Sequence, residues 1–158
     1  MIIQQFFVSG IAHSSYMVAA SKSCAVVDPE RNISRYIDAA IQMRLKITHI
    51  LETHLHADFV SGHLDLAQAT GAPIYAPRAG NCLFPHIPLK EGDEIELEHI
   101  RFSIIETAGH TPEHICYIAT DTERGATPVA IFSGDTLFVG DVGRPDLFPG
   151  RSEDLASS

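Results

Sequence analysis

The stretch THLHADFVSGH, residues 53–63, decides how this chain is interpreted. It follows an apolar run at residues 47–51 that predicts a buried strand, and the segment after it predicts a short helix. His54, His56 and Asp58 therefore alternate where a strand ends and a helix begins. Loops at strand ends collect ligands because the sheet holds them rigidly. Imidazole and carboxylate together suit zinc or iron, so we predict a metal site here rather than a polar helix-capping loop.

Composition limits the classes of protein to consider. The 158 residues are predicted to form one domain, residues 1–158, with a net charge of −9 and no basic cluster, which argues against nucleic-acid and anionic-membrane partners. No apolar run reaches membrane-spanning length, and the first residues lack the charged start of a signal peptide. Cys24, Cys82 and Cys116 are far apart and indicate reduced thiols. We therefore predict a cytoplasmic protein.

The segments before the His/Asp loop predict a small sheet and a helix. Strand patterns at residues 2–8, 16–20 and 24–28 indicate an antiparallel meander. Apolar residues at helical spacing then predict an amphipathic helix at residues 33–45, with Asn32 as its N-cap. His13 lies in the first hairpin loop, which could overhang a site.

The segments after the loop predict mainly strands. The helix at residues 64–70 is predicted to end at Gly71, and residues 78–92 are predicted to be irregular. Further strands are predicted at residues 73–76, 95–97, 101–106, 115–120 and 129–132.

Two later strand exits also carry metal-binding residue types. His110 follows one predicted strand, with His114 close behind, and Asp135 follows another. Gly109 and Gly134 precede the first histidine and the aspartate and would permit tight turns that aim the next side chain inward. Asp135 alone would be interpreted as a turn carboxylate. Because ligands from distant strands make rigid metal sites, the three exits together favour a single centre.

Three motifs carry a resemblance to a known family. THLHAD (53–58), GHTP (109–112) and SGDTL (133–137) resemble, in this order, the motifs of the metallo-β-lactamase superfamily. The first motif and GDVGRPDL (140–147) look like its persulfide (sulfur) dioxygenase branch, which includes bacterial forms fused to rhodanese domains. The resemblance implies an α+β fold, a four-layer αββα sandwich with the metal at one edge of two facing sheets.

The resemblance also implies a ligand set. In the dioxygenase branch one iron is held by residues that correspond to His54, His110 and Asp135. Two histidines and a carboxylate with open positions are typical of non-haem Fe(II) oxygenases. His56 and Asp58 would then orient these ligands, or serve as alternative ligands.

Phe59 departs from the superfamily pattern, which has a histidine at this position. In binuclear relatives that histidine belongs to a second metal site, so Phe59 favours one metal per chain. We therefore expect one Fe(II) per chain, with Zn(II) as the alternative or substitute.

The chain also ends before the superfamily pattern does. We expect a fold truncated at its C-terminal end, with an exposed apolar strand edge that would favour a homo-oligomer. Arg144 is a candidate residue on the substrate side of the site. A rhodanese domain in a full-length relative is a further expectation from the resemblance.

The leading functional hypothesis is an Fe(II)-dependent dioxygenase that converts a small thiol persulfide, similar to glutathione persulfide, and O2 to sulfite and thiol. The alternative is a glyoxalase II-like thioester hydrolase, in which a metal-bound water attacks an acyl carbon. A non-catalytic metal-binding fold is the third hypothesis.

Overall fold

The computed structural model describes residues 1–143. Within them the chain forms two α-helices, Ser34–Met43 (α1) and His63–Thr70 (α2), and a short 3-10 helix at Arg78–Gly80. The strands are Ile2–Val8 (β1), His13–Ala19 (β2), Ser23–Val27 (β3), Lys46–Leu51 (β4), Ile74–Pro77 (β5), Ile87–Leu89 (β6), Glu94–Leu97 (β7), Ile100–Glu106 (β8), Ile115–Asp121 (β9), Ala130–Phe132 (β10), Leu137–Phe138 (β11) and Asp141–Val142 (β12).

The first sheet has the order β1-β2-β3-β4-β5-β6. Its first three strands pair antiparallel, so the predicted meander is confirmed. The pairs β3–β4, β4–β5 and β5–β6 are parallel. Parallel neighbours need a crossover, and α1 and α2 supply the first two. As a result the strands β3 and β4 deliver their carboxyl ends to the same edge of the sheet.

The second sheet is antiparallel, in the order β10-β9-β8-β7. Its inner face packs on the inner face of the first sheet in one apolar core, which includes Val27, Leu51, Phe102 and Tyr117. The outer face of the first sheet packs against both α-helices in a second core. The alternation of buried and exposed residues along β7 and β8 follows from this one-sided burial.

Buried hydrogen bonds join the two sheets where β4 ends. The backbone N–H of Ile115 donates to the carbonyl of Thr53 at 2.9 Å, and the Tyr117 hydroxyl donates to the carbonyl of Glu52 at 2.9 Å. The loop that follows β4 is therefore fixed from both sides of the sandwich.

Some local predictions are wrong. Asn32 is not the N-cap of α1, because the cap position falls at Ile33, which makes no side-chain capping hydrogen bond. Residues 78–92 are not wholly irregular, since they contain β6 and the 3-10 helix. The sequence pattern also missed β11 and β12. Strands of two or three residues are too short to show a periodic pattern in the sequence. Their formation depends on pairing with the neighbouring strand. Gly71 ends α2 in a left-handed conformation, as predicted.

The layers agree with the predicted α+β architecture. Residues 1–143 contain one helical layer and two facing sheets, which are three of the four predicted layers. Among the described residues, no helix is long and apolar enough to cross a membrane.

Candidate metal centre

Three strand exits bring their polar side chains to one edge of the sandwich. His54 follows β4, His110 follows β8 and Asp135 follows β10. One ligand atom from each lies within 4.8 Å of the others. Gly134 has φ +46°, and a Cβ there would meet the Thr53 hydroxyl at 2.4 Å. Glycine therefore permits the turn that brings Asp135 against the other two residues.

The separations between these atoms fit a shared metal ion. The Asp135 Oδ2 atom lies 3.6 Å from His110 Nε2 and 3.9 Å from His54 Nε2. Both distances are too long for a hydrogen bond. Two donors each about 2.0–2.2 Å from one ion lie at most about 4.4 Å apart, so both distances are compatible with one ion. The residues present therefore fit a metal ion shared by this donor group.

The hydrogen bonds of His54 fix which of its nitrogens faces the centre. The Thr53 hydroxyl donates to Asp28 Oδ2 at 2.8 Å and lies 2.9 Å from His54 Nδ1. The Thr53 hydroxyl donates its single proton to Asp28. Its oxygen therefore accepts a hydrogen bond from the Nδ1–H of His54. The Nε2 atom then carries the lone pair. Burial, helped by the charge of His56, lowers the pKa of His54 to about 2, which keeps the ring in the neutral form that binds metals.

His56 faces a different set of partners. Its Nε2 atom lies 3.3 Å from Asp28 Oδ1 and 3.6 Å from Glu52 Oε2. Burial alone would lower the pKa of His56, but hydrogen bonding to Asp28 and the charges of both carboxylates raise it to about 9. His63 Nδ1 lies 3.6 Å from the same Glu52 oxygen. Asp28, Glu52 and His56 thus form a second group of potential ligands, with atoms within 4.8 Å of one another and separate from the three-residue donor group.

Phe59 occupies the space beside His56. Its ring centroid lies 4.5 Å from that of His56 and 4.1 Å from that of His13. An apolar ring therefore stands where the superfamily pattern has a metal-binding imidazole.

The other candidate residues lie outside the three-residue donor group. Asp58 is exposed and forms no hydrogen bond or ion pair within residues 1–143. His114 is buried, stacks on His54 at 4.9 Å and pairs its Nδ1 atom with the Thr107 hydroxyl at 3.0 Å. Burial is the main reason that the pKa of His114 is lowered to about 4. Arg144 lies outside the described residues.

A cavity of about 410 Å³ adjoins the centre. Its wall includes His13, His56 and Asp135, together with Gln5 and Ser14 from the first hairpin. The remaining wall is mostly apolar and comes from β2, β10 and β11. A small organic molecule in this space would lie against Asp135 of the donor group and against the first hairpin.

Sequence reasoning missed Asp28, Glu52 and the role of Thr53. The signal for Asp28 was available, because Asp28 also follows a strand, and that strand runs parallel to β4. Glu52 directly follows β4 and is 1% exposed. That burial is a property of the folded chain, so the sequence carried no signal for Glu52.

Comparisons with known proteins identify the family of this chain. The family model described as the metallo-β-lactamase superfamily matches residues 8–158. A hydroxyacylglutathione hydrolase of Pseudomonas putida strain F1 is 36% identical over 138 residues, which are 86% of this chain and 50% of that protein. The chain spans about half the length of the curated relatives it matches.

Two solved structures share the fold. A metallo-β-lactamase from Staphylococcus aureus subsp. aureus COL has a TM-score of 0.87 and 36% identity, covering 93% of this chain and 47% of that one. ETHE1 from Myxococcus xanthus has a TM-score of 0.83 and 27% identity, covering 93% and 63%. From its motifs, its fold and these matches, the chain belongs to the metallo-β-lactamase superfamily.

Proposed function

We propose that this protein oxidises a low-molecular-weight thiol persulfide with O2, using one Fe(II) held by His54, His110 and Asp135. The observation that carries the proposal is the donor group itself, two imidazole nitrogens and one carboxylate oxygen within 4.8 Å of one another. This residue set is typical of mononuclear Fe(II) oxygenases. Bound there, the ion would supply the redox chemistry that oxygenation of sulfur requires.

The overall reaction balances without a further reductant. A persulfide RSSH, one O2 and one water give the thiol RSH, sulfite and two protons. The outer sulfur loses four electrons, and O2 gains them. Among the chain's own residues, Thr53 fixes the ring of His54, one of the proposed ligands. Asp28 and Glu52 lie against the Nε2 atom of His56, outside the donor group.

The side chain of Phe59 supports one metal rather than two. Its ring packs on both His13 and His56 and offers no lone pair to an ion. A binuclear hydrolase of this superfamily would use a histidine at this position. The absence of a ligand at this one position is what Phe59 contributes in support of the oxygenase proposal.

Thioester hydrolysis with a bound Zn(II) is the second candidate. The names of the curated relatives favour it over the oxygenase, since they are hydroxyacylglutathione hydrolases at 34–36% identity. A metal-bound water would be the nucleophile in that reaction. Both candidates use a substrate with a thiol-derived sulfur at the same centre.

The partners follow from the leading proposal. They are a small thiol persulfide and O2, with no nucleic acid and no membrane. The cytoplasmic location, the homo-oligomer and the rhodanese domain of a full-length relative remain predictions.

Metal analysis and two activity assays separate the candidates. Protein purified without oxygen should contain one iron per chain and consume O2 only when glutathione persulfide is added. His110→Ala should lose both the iron and the O2 uptake, because it removes one of three ligands. His86→Ala is the matched control, since His86 belongs to no group of potential metal ligands among the described residues.

The opposite result is equally clear. Zinc in the wild type, with hydrolysis of a hydroxyacylglutathione thioester and no O2 uptake, would replace the oxygenase proposal by the hydrolase. If the metal-loaded protein shows neither activity, that result would favour the non-catalytic hypothesis.

A further inference from the structure

The imidazole of His13 lines the cavity beside the metal centre without belonging to the donor group. It begins β2 and pairs with Val8 across the first hairpin. The same ring forms part of the wall of the 410 Å³ cavity that also includes His56 and Asp135. Neither the proposed metal ligands nor the carboxylates behind His56 account for a histidine in this position.

One hydrogen bond determines what His13 can offer. Its Nε2 atom lies 2.8 Å from the backbone carbonyl of Asp28. A carbonyl oxygen has no proton to give, so Nε2 must carry the proton and donate. In the neutral ring the Nδ1 atom is then a lone-pair acceptor. It is the one polar atom that this ring has left for a ligand.

Packing holds the ring of His13 in place. The Phe59 ring lies 4.1 Å away at an interplanar angle of 41°, and the His56 ring lies 5.6 Å away at 76°. Together with the bond to Asp28, these contacts restrict the ring to one orientation. A hydrogen-bond acceptor fixed in advance loses little entropy when a ligand binds.

We propose that His13 is a substrate-binding residue whose Nδ1 atom accepts a hydrogen bond from the thiol moiety of the ligand in this cavity. The donor is the ligand's sulfhydryl or one of its amide N–H groups. This inference rests on the proposed function for the class of ligand, a glutathione-like thiol. It assigns to the first hairpin a role in recognition that is independent of the metal ligands.

Two substitutions separate the two nitrogens of His13. His13→Gln places an amide N–H near the Nε2 position, so it can keep the bond to the Asp28 carbonyl while it loses the Nδ1 acceptor. His13→Phe keeps an aromatic ring against Phe59 and loses both nitrogens. If Nδ1 is the functional atom, both variants should bind glutathione about threefold to tenfold more weakly than wild type, which is the range for one neutral hydrogen bond.

The experiment is calorimetric titration of the protein as isolated with glutathione and with S-methylglutathione, alongside metal analysis of each variant. Metal content should stay at the wild-type level in both variants. If the sulfhydryl is the donor, the difference between wild type and His13→Gln disappears with S-methylglutathione. If an amide is the donor, the difference persists.

Three results would overturn the inference. Glutathione could bind both variants as it binds wild type, it could bind His13→Gln normally while binding His13→Phe weakly, or millimolar glutathione could fail to bind wild type. The second result would show that only the structural bond to Asp28 matters. Weakened binding in both variants without any O2 uptake by wild type would support the role of His13 while removing the oxygenase proposal.

Discussion

The side-chain carboxylate of Glu113 accepts a hydrogen bond from the backbone N–H of Leu55 at 3.1 Å, across 58 residues of sequence. Leu55 lies between His54 and His56, and Glu113 lies in the loop that carries His110. This bond therefore connects the two histidine-bearing loops directly. It supplements the buried bonds that Ile115 and Tyr117 make to Thr53 and Glu52.

Removal of this connection should weaken metal binding. Glu113→Ala is expected to lower the affinity for Fe(II) or Zn(II) about tenfold, since groups that orient ligands have effects of this size. Glu113→Gln is the matched variant, because its amide oxygen can still accept from Leu55, and it should retain most of the affinity. Competition with a chromophoric chelator measures both. Equal affinities for Glu113→Ala and wild type would mean that the loops hold their positions without the bond.

The hydroxyl of Thr53 is expected to matter for stability. Thr53→Val removes the group that bonds both Asp28 Oδ2 and His54 Nδ1, and leaves two buried polar atoms short of a partner. We expect a loss of about 1–3 kcal/mol in the free energy of unfolding, measured by urea denaturation of the metal-free protein. Thr53→Ser keeps the hydroxyl and should lose clearly less. A Thr53→Val protein as stable as Thr53→Ser would contradict the hydrogen-bond assignment.

Gly134 should tolerate no side chain. In Gly134→Ala the new Cβ would meet the Thr53 hydroxyl at 2.4 Å and His114 Nε2 at 2.6 Å. Gly92 also has a positive φ, +78°, but a Cβ there meets nothing within 4 Å. Gly92→Ala should therefore show only the conformational cost, about 1–2 kcal/mol. Gly134→Ala should cost more and also lose metal, because Asp135 must shift. Thermal unfolding and metal content measure the two effects, and equal results for the two variants would contradict the clash.

The last prediction concerns Phe59. Phe59→His places a metal-binding ring next to Asp58, and we expect a second metal to bind, more weakly than the first. The first ion should be retained because none of its three proposed ligands changes. Phe59→Leu is the matched control and should bind one ion only. Stoichiometric titration with Co(II) followed by absorbance distinguishes the outcomes. Two tightly bound ions in wild type would contradict the hypothesis that Phe59 limits the chain to one metal.

The sequence predicted the fold and the donor group better than it predicted their surroundings. Apolar runs before His54, His110 and Asp135 marked the strand exits, because strand periodicity and turn residues are local features. The convergence of those exits was inferred from their shared position at strand ends, and the described geometry places the three side chains together.

The supporting contacts could not be predicted in the same way. The pairing of His56 with Asp28 and Glu52 depends on the register of β3 against β4, which contains an irregularity between Cys24 and Ala25. A one-residue change in register reverses the faces of a strand, so such contacts follow only from the assembled sheet.

The bonds that join Glu52 and Thr53 to β9 have a consequence for the order of folding. The bond from the Tyr117 hydroxyl to the carbonyl of Glu52 spans 65 residues, so a long loop must close before it forms. Contacts between such distant segments slow folding and are made late. The first sheet, with its local hairpins and crossovers, can pair earlier. We therefore expect a metal ion to be captured only by chains in which both sheets have docked, so that metal uptake during refolding reports the last step of assembly.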